Sequence, residues 1–150
     1  MRRMDLLVLL VAVAIGATIG VQPVINARLG NFAGDAALAA LISTVTSTTT
    51  LLIYVLIIRP ELPSLAAMRA GPWWIWTGGF IGAVYVAVSL NIAQRLGATT
   101  LVAVVVLGQM TAALIVDHFG LLGLAEHPIS PLRILGVLLL IAGVALIRLF

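Results

Sequence analysis

The sequence contains no cysteine, which excludes disulfides and thiolate-ligated metal sites. It contains no lysine either: all eight basic side chains are arginine. Charge of any sign is scarce, at 9% of residues, where a soluble domain carries roughly 25%. Hydrophobic residues make up 63% of the chain, and the mean hydropathy is +1.25. So few charges cannot cover a water-soluble globule, and the chain reads as an integral membrane protein. A sequence pI near 10.7 raises the question of nucleic acid. The arginines, however, are scattered between apolar runs and form no basic patch. They read as anchors at helix ends, with stems reaching toward lipid headgroups, and no nucleic-acid partner is expected.

What the chain has instead is long stretches without charge. Every residue is neutral between Asp5 and Arg28, Asp35 and Arg59, Arg69 and Arg95, and Arg95 and Asp117, with a shorter stretch between Arg133 and Arg148. A helix needs about 20 apolar residues to cross a bilayer core, so the pattern predicts five spans in an all-α membrane fold. The expected bounds are 5–27, 36–58, 73–94, 98–116 and 132–150, within a single transmembrane domain. Met1-Arg2-Arg3 followed by an apolar run imitates a signal peptide, and Ala12-Val13-Ala14 imitates its cleavage site. The run continues to Ala27, past the roughly 7–15 residues of a signal core, so it reads as a retained first helix. Pro23 should kink that helix near its far end. The segment 28–35 reads as a loop ending in Asp35, a good cap for the second span. Arg59-Pro60 stops the second span, and Trp73-Trp74-Ile75-Trp76 opens the third at the membrane–water interface.

An odd number of spans puts the two ends of the chain on opposite sides of the membrane. On the side of the first residue, side A, lie Arg2, Arg3, Arg59, Arg69 and Arg133. On side B lie Arg28, Arg95 and Arg148. This five-to-three split points only weakly to side A as cytoplasmic. A margin so thin fits a protein that inserts both ways round, or an ordinary one with a weak signal.

Within the spans the chemistry is uncharged. Thr18, Gln22 and Asn26 recur at i, i+4 and i+8 on one face of the first span, and Pro23 frees the carbonyl of Ile19. The set can hold hydroxyl, amide or ammonium groups, or simply tie helices together. The second span is dense in hydroxyls, with Ser43, Ser47, Thr50 and Tyr54 on one stripe. Such hydroxyls can bond their own preceding carbonyls; Ser47 and Thr50, near mid-bilayer, are the two able to line a path. The third span carries Gly78-x-x-x-Gly82, which admits a close neighbour, then Tyr85 near its midpoint and the amides Asn91 and Gln94 near side B. Gln109 lies near the middle of the fourth span, where an amide either pairs across helices or touches cargo. Gly136 and Gly143, seven residues apart, suit packing of the fifth span. Asp117-His118 can shuttle protons or sit solvated among headgroups. No acid stands at the central depth of any span, which speaks against proton exchange through a buried carboxylate. No catalytic set and no metal cluster can be assembled, and no cofactor is expected.

Several stretches stand together in a recognisable order: Gln22-Pro23-x-x-Asn26, Gly78-Gly79-Phe80-Ile81-Gly82-Ala83-Val84-Tyr85, Leu107-Gly108-Gln109, Asp117-His118-Phe119-Gly120 and Arg133-Ile134-Leu135-Gly136-Val137. They resemble the YdcZ-like family of five-helix bacterial membrane proteins, a half-size branch of the drug/metabolite transporter superfamily. The resemblance covers essentially the whole chain. It implies half of an inverted-repeat transporter fold in the bacterial inner membrane. The working unit would be an inverted homodimer, or a pair with a paralogous five-helix subunit. One departure matters: the related small multidrug-resistance proteins use a glutamate in the first helix, and here the polar positions are Thr18, Gln22 and Asn26.

The leading expectation is therefore a small-molecule transporter subunit acting as an antiparallel dimer, with cargo contacted by Gln22, Asn26, Tyr85 and Gln109, and with Thr18, Ser47 and Asn91 as further substrate-binding candidates. A flippase subunit for a lipid or lipid-linked intermediate is a second reading. A structural or regulatory membrane protein is a third. An enzyme is not expected.

Overall fold

The computed structural model describes residues 3–150; Met1 and Arg2, the latter counted in the side-A charge, lie outside the described residues. The element order is α1 (Arg3–Ala33), α2 (Ala36–Ile58), a short α3 (Leu65–Ala70), a 3-10 turn at Trp73–Trp76, α4 (Thr77–Leu96), α5 (Ala98–His118), a second 3-10 turn at Leu121–Gly123, and α6 (Pro131–Leu149). No strand occurs among the described residues. Five segments are long and apolar enough to cross a membrane: Asp5–Ala33, Ala36–Ile58, Trp73–Leu96, Ala98–His118 and Pro131–Leu149. The expected all-α membrane architecture is thus present.

The helix ends follow from local chemistry. Asp35 caps α2, its Oδ1 accepting from the N–H of Ala37 at 2.7 Å and of Leu38 at 3.1 Å. Ser64 caps α3 through Ala67 N–H at 3.1 Å. Ser130 caps α6 through Arg133 N–H at 3.3 Å, with Pro131 in the first turn, where its missing donor does no harm. Arg59 closes α2 in the left-handed region, φ 47°, because Pro60 disfavours the right-handed helix for the residue before it.

The largest difference from the sequence reading is at the end of the first span. The helix α1 does not stop at Ala27 but runs to Ala33, so most of the expected loop is helical. A single glycine in a helix costs only about 1 kcal/mol, and Gly30 does not break it. The stop comes at Gly34, whose φ of +80° is free for glycine and reverses the chain in two residues. Pro23 lies inside α1, which continues through it.

The chain forms two compact units, divided after Arg95. In the first, α2 folds back along α1 and the end of α4 packs beside their connection. Ala39, Ala40 and Leu90 are buried together, with Leu29, Val86 and Ala87 against them. Small residues allow this closeness: a methyl group at Gly30 would stand 3.7 Å from both Ala36 Cα and Ala39 Cβ. In the second unit, α5 and α6 pack as a hairpin and the Leu121–Gly123 turn rests on α5. In no span is more than 11% of the most apolar window buried. Such exposure of apolar helices would be untenable in water and is what lipid accommodates.

Candidate functional site

The hydroxyl-rich stretch of α2 satisfies itself. Thr44, Thr46, Ser47, Thr48, Thr49 and Thr50 each donate to the carbonyl four residues earlier, at 2.8–3.0 Å. Ser47 bonds Ser43 O at 3.0 Å and Thr50 bonds Thr46 O at 2.9 Å, so both place their proton on their own helix. On α1, Thr18 does the same toward Ile15 O at 2.7 Å. On α4, Asn91 Nδ2 donates to Ala87 O at 3.1 Å. These donors are spoken for within their helices, which is how hydroxyls and short amides survive in lipid.

Other polar side chains of the spans behave differently: Ser43, Tyr54, Thr99 and Thr100 make no side-chain hydrogen bond to a described residue, and neither do the four polar side chains expected to contact cargo. Gln22, Asn26, Tyr85 and Gln109 make no hydrogen bond to any described residue. Asn26 is only 5% exposed, Gln22 and Tyr85 are half-buried, and Gln109 is exposed on α5. Gln22 and Asn26 share a face of α1 with buried Pro23 between them, and Pro23 has no N–H to offer the carbonyl of Ile19. An amide in an apolar span without a partner is costly, because neither lipid nor an apolar side chain replaces water.

A polar pocket of about 460 Å³ opens at the end of the first unit, lined by Gly30, Asn31, Gly34, Asp35, Ala36, Asn91 and Gln94. Gln94 holds it together: its Nε2 donates to Asn31 Oδ1 at 3.3 Å and, more loosely, to Ala27 O at 3.5 Å. Sequence reasoning placed Asn91 and Gln94 near side B but missed Asn31 and Asp35 as their neighbours. The signal lies in the spacing of Gly30, Asn31 and Gly34 after Ala27, which continues the helical period into the expected loop.

In the second unit the groove between the two helices differs along its length. An apolar groove of about 480 Å³ lies between α5 and α6, lined by residues including Thr99, Val102, Val106, Leu140, Gly143 and Ile147. A second pocket of about 350 Å³ holds Gly136 with Asp117 and Arg133. Those two charges pair at 3.5 Å, and Arg133 also donates to His127 O at 3.0 Å. The N–H of His127 donates to Asp117 O at 2.7 Å, while His118 Nδ1 accepts from Ile129 N–H at 3.2 Å. The 119–130 loop is therefore strapped to both helix ends, a role the sequence reading did not give to Asp117, His118 or Arg133. At Gly78, Gly82, Gly136 and Gly143 an added methyl group would meet nothing within 4 Å, so no described residue packs on them. Among the described residues, no three His, Asp or Glu side chains gather to hold a metal ion.

Over residues 7–146 the chain matches the family described as "Putative inner membrane exporter, YdcZ". The chain belongs to the YdcZ family. With its five spans, it is a multi-pass inner-membrane protein of a transporter family rather than of an enzyme class. No curated protein and no solved structure matches it.

Proposed function

We propose that this YdcZ-family chain is one subunit of a small-molecule exporter that works as an antiparallel dimer, with Gln22, Asn26, Tyr85 and Gln109 contacting cargo. One observation carries the reading: these four side chains, three of them amides, have no partner among the described residues, whereas most of the α2 hydroxyls and Asn91 bond their own helices. A polar group kept unpaired in an apolar span needs a ligand or a second subunit, and a transport path supplies both. The uncovered glycines 78, 82, 136 and 143 are then available to a partner subunit, which is either a second copy or a paralogous five-helix chain. The five-to-three arginine split makes the inverted arrangement accessible.

The experiment is topology mapping with C-terminal reporters that work on one side of the membrane only, joined to transport measured in liposomes. Comparable signal from both reporters is expected, together with loss of transport when Gln22, Asn26 and Gln109 are replaced together by leucine. A protein that is strictly monomeric in detergent and moves nothing in liposomes would sink the proposal.

A flippase subunit for a lipid is the second reading, favoured by the apolar groove of about 480 Å³ between α5 and α6. Retention of a lipid along that groove after purification, with no transport of soluble compounds, would select it.

A further inference from the structure

The polar pocket at the end of the first unit is built from hydrogen-bond acceptors that nothing uses. Gln94 spends its N–H₂ on Asn31 Oδ1 and Ala27 O, which leaves Gln94 Oε1 open. Asn91 spends one N–H of its amide on Ala87 O, which leaves Asn91 Oδ1 open. Asp35 uses Oδ1 for both capping bonds, and its Oδ2 accepts none. The side-chain donors left among the lining residues are Asn31 Nδ2 and the second N–H of Asn91. The open oxygens have more lone pairs than these have protons, and the pocket carries a negative charge.

That charge is not answered inside the protein. The salt bridge among the described residues joins Arg133 and Asp117, and no arginine lies against Asp35. Arg28 and Arg95 stand on the adjoining helix ends but do not line the pocket. The backbone adds to the same sign. Gly30 and Asn31 belong to the last turns of α1, and Gln94 to the last turn of α4, where helix carbonyls carry partial negative charge. The opposing positive end of α2 is already capped by Asp35 itself.

We propose that this pocket binds a primary ammonium group, with Asp35 as its counter-charge and Gln94 Oε1 and Asn91 Oδ1 accepting its N–H bonds. A primary ammonium has three donors and no acceptor, the complement of what the pocket presents. A quaternary ammonium has no N–H to give and fits poorly. The ammonium can belong to a soluble amine or to an ethanolamine lipid headgroup, because the pocket sits at the end of the spans, at headgroup depth. The proposal stands apart from the transport reading, since binding is read without transport.

The probe variant is Asp35→Asn, which keeps a good helix cap and removes only the charge. In lipid-free detergent, putrescine is titrated against the full-length protein and its thermal stabilisation measured. In nanodiscs, the same readout compares phosphatidylethanolamine with phosphatidylcholine. Loss of one charge-assisted hydrogen bond corresponds to about a 10- to 100-fold change in Kd, and that weakening is expected in Asp35→Asn. Stabilisation by putrescine that Asp35→Asn loses assigns the pocket to soluble amines. Stabilisation by phosphatidylethanolamine alone, again lost in Asp35→Asn, assigns it to the headgroup. If neither ligand stabilises the wild type, or if Asp35→Asn responds as the wild type does, the proposal is overturned. Asn91→Ala, whose lost bond lies within α4, should weaken the same ligand by a smaller factor and leave the unliganded protein intact.

Discussion

Replacing Asp35 separates two jobs of one side chain. Its Oδ1 accepts from Ala37 N–H at 2.7 Å and Leu38 N–H at 3.1 Å, satisfying two of the donors that the start of α2 leaves unpaired. Removing a cap of this kind costs typically about 1 kcal/mol, within a range of about 0.5–2. Asp35 is exposed, so its electrostatic contribution to the helix end is at the small end, about 0.3 kcal/mol. Asp35→Ala should therefore lose about 1–1.5 kcal/mol and Asp35→Asn no more than a few tenths. The measurement is equilibrium unfolding of the purified protein in mixed micelles of increasing dodecyl sulfate. It is paired with hydrogen exchange at the amides of Ala37 and Leu38. Those two amides should exchange about fivefold faster in Asp35→Ala and nearly unchanged in Asp35→Asn. If Asp35→Asn destabilises as much as Asp35→Ala, the turn depends on charge rather than on capping. The account of α1 reversing into α2 would then be wrong.

Arg133→Met should free the 119–130 loop, since Arg133 holds both the Asp117 carboxylate at 3.5 Å and His127 O at 3.0 Å. Both side chains are more than a third exposed, so the ion pair contributes at most about 1 kcal/mol, and Asp117→Asn should do less damage than Arg133→Met. Limited proteolysis within the loop reads this, and equal cleavage of the two variants would contradict it. Gly97→Ala tests pure backbone strain: its φ of +79° and ψ of 162° belong to glycine, yet a methyl group there meets nothing within 4 Å. A loss of about 1–3 kcal/mol in the same micelle unfolding assay is expected. A variant as stable as the wild type would show that the Leu96–Ala98 connection relaxes.

The spans were legible because membrane burial imposes a simple rule, and 9% charge leaves little ambiguity about where each helix crosses. Asp35 as a cap was legible for the same kind of reason: one side chain and one backbone pattern decide it. The end of α1 was not. Arg28, Gly30 and Asn31 look like loop residues to local propensity, while the decisive feature is the positive φ that Gly34 adopts and Gly30 does not. The polar pocket depended on that error, since Asn31 and Gly30 take their places in it only if α1 continues. The Asp117–Arg133 pair was hidden differently. It joins residues across a glycine- and proline-rich loop, whose path no periodicity describes. The α2 hydroxyls were legible in kind, as self-bonding groups, but their near uniformity at 2.8–3.0 Å is a property of the folded helix.

The placement of charge bears on how such a protein handles its cargo. Every span is neutral through its middle, and two of the three acids at span ends have local duties: Asp35 caps α2, and Asp117 faces Arg133. Under the antiparallel arrangement proposed above, each face of the membrane would carry one Asp35 pocket. An ammonium-bearing solute would then meet that pocket on entering and on leaving. Between the two, the amides and the phenol proposed to contact cargo would offer hydrogen bonds but no charge. A single carboxylate at mid-depth would hold a cation firmly unless a proton displaced it. No span carries an acid at that depth, so under this reading the cation would pass without such a displacement.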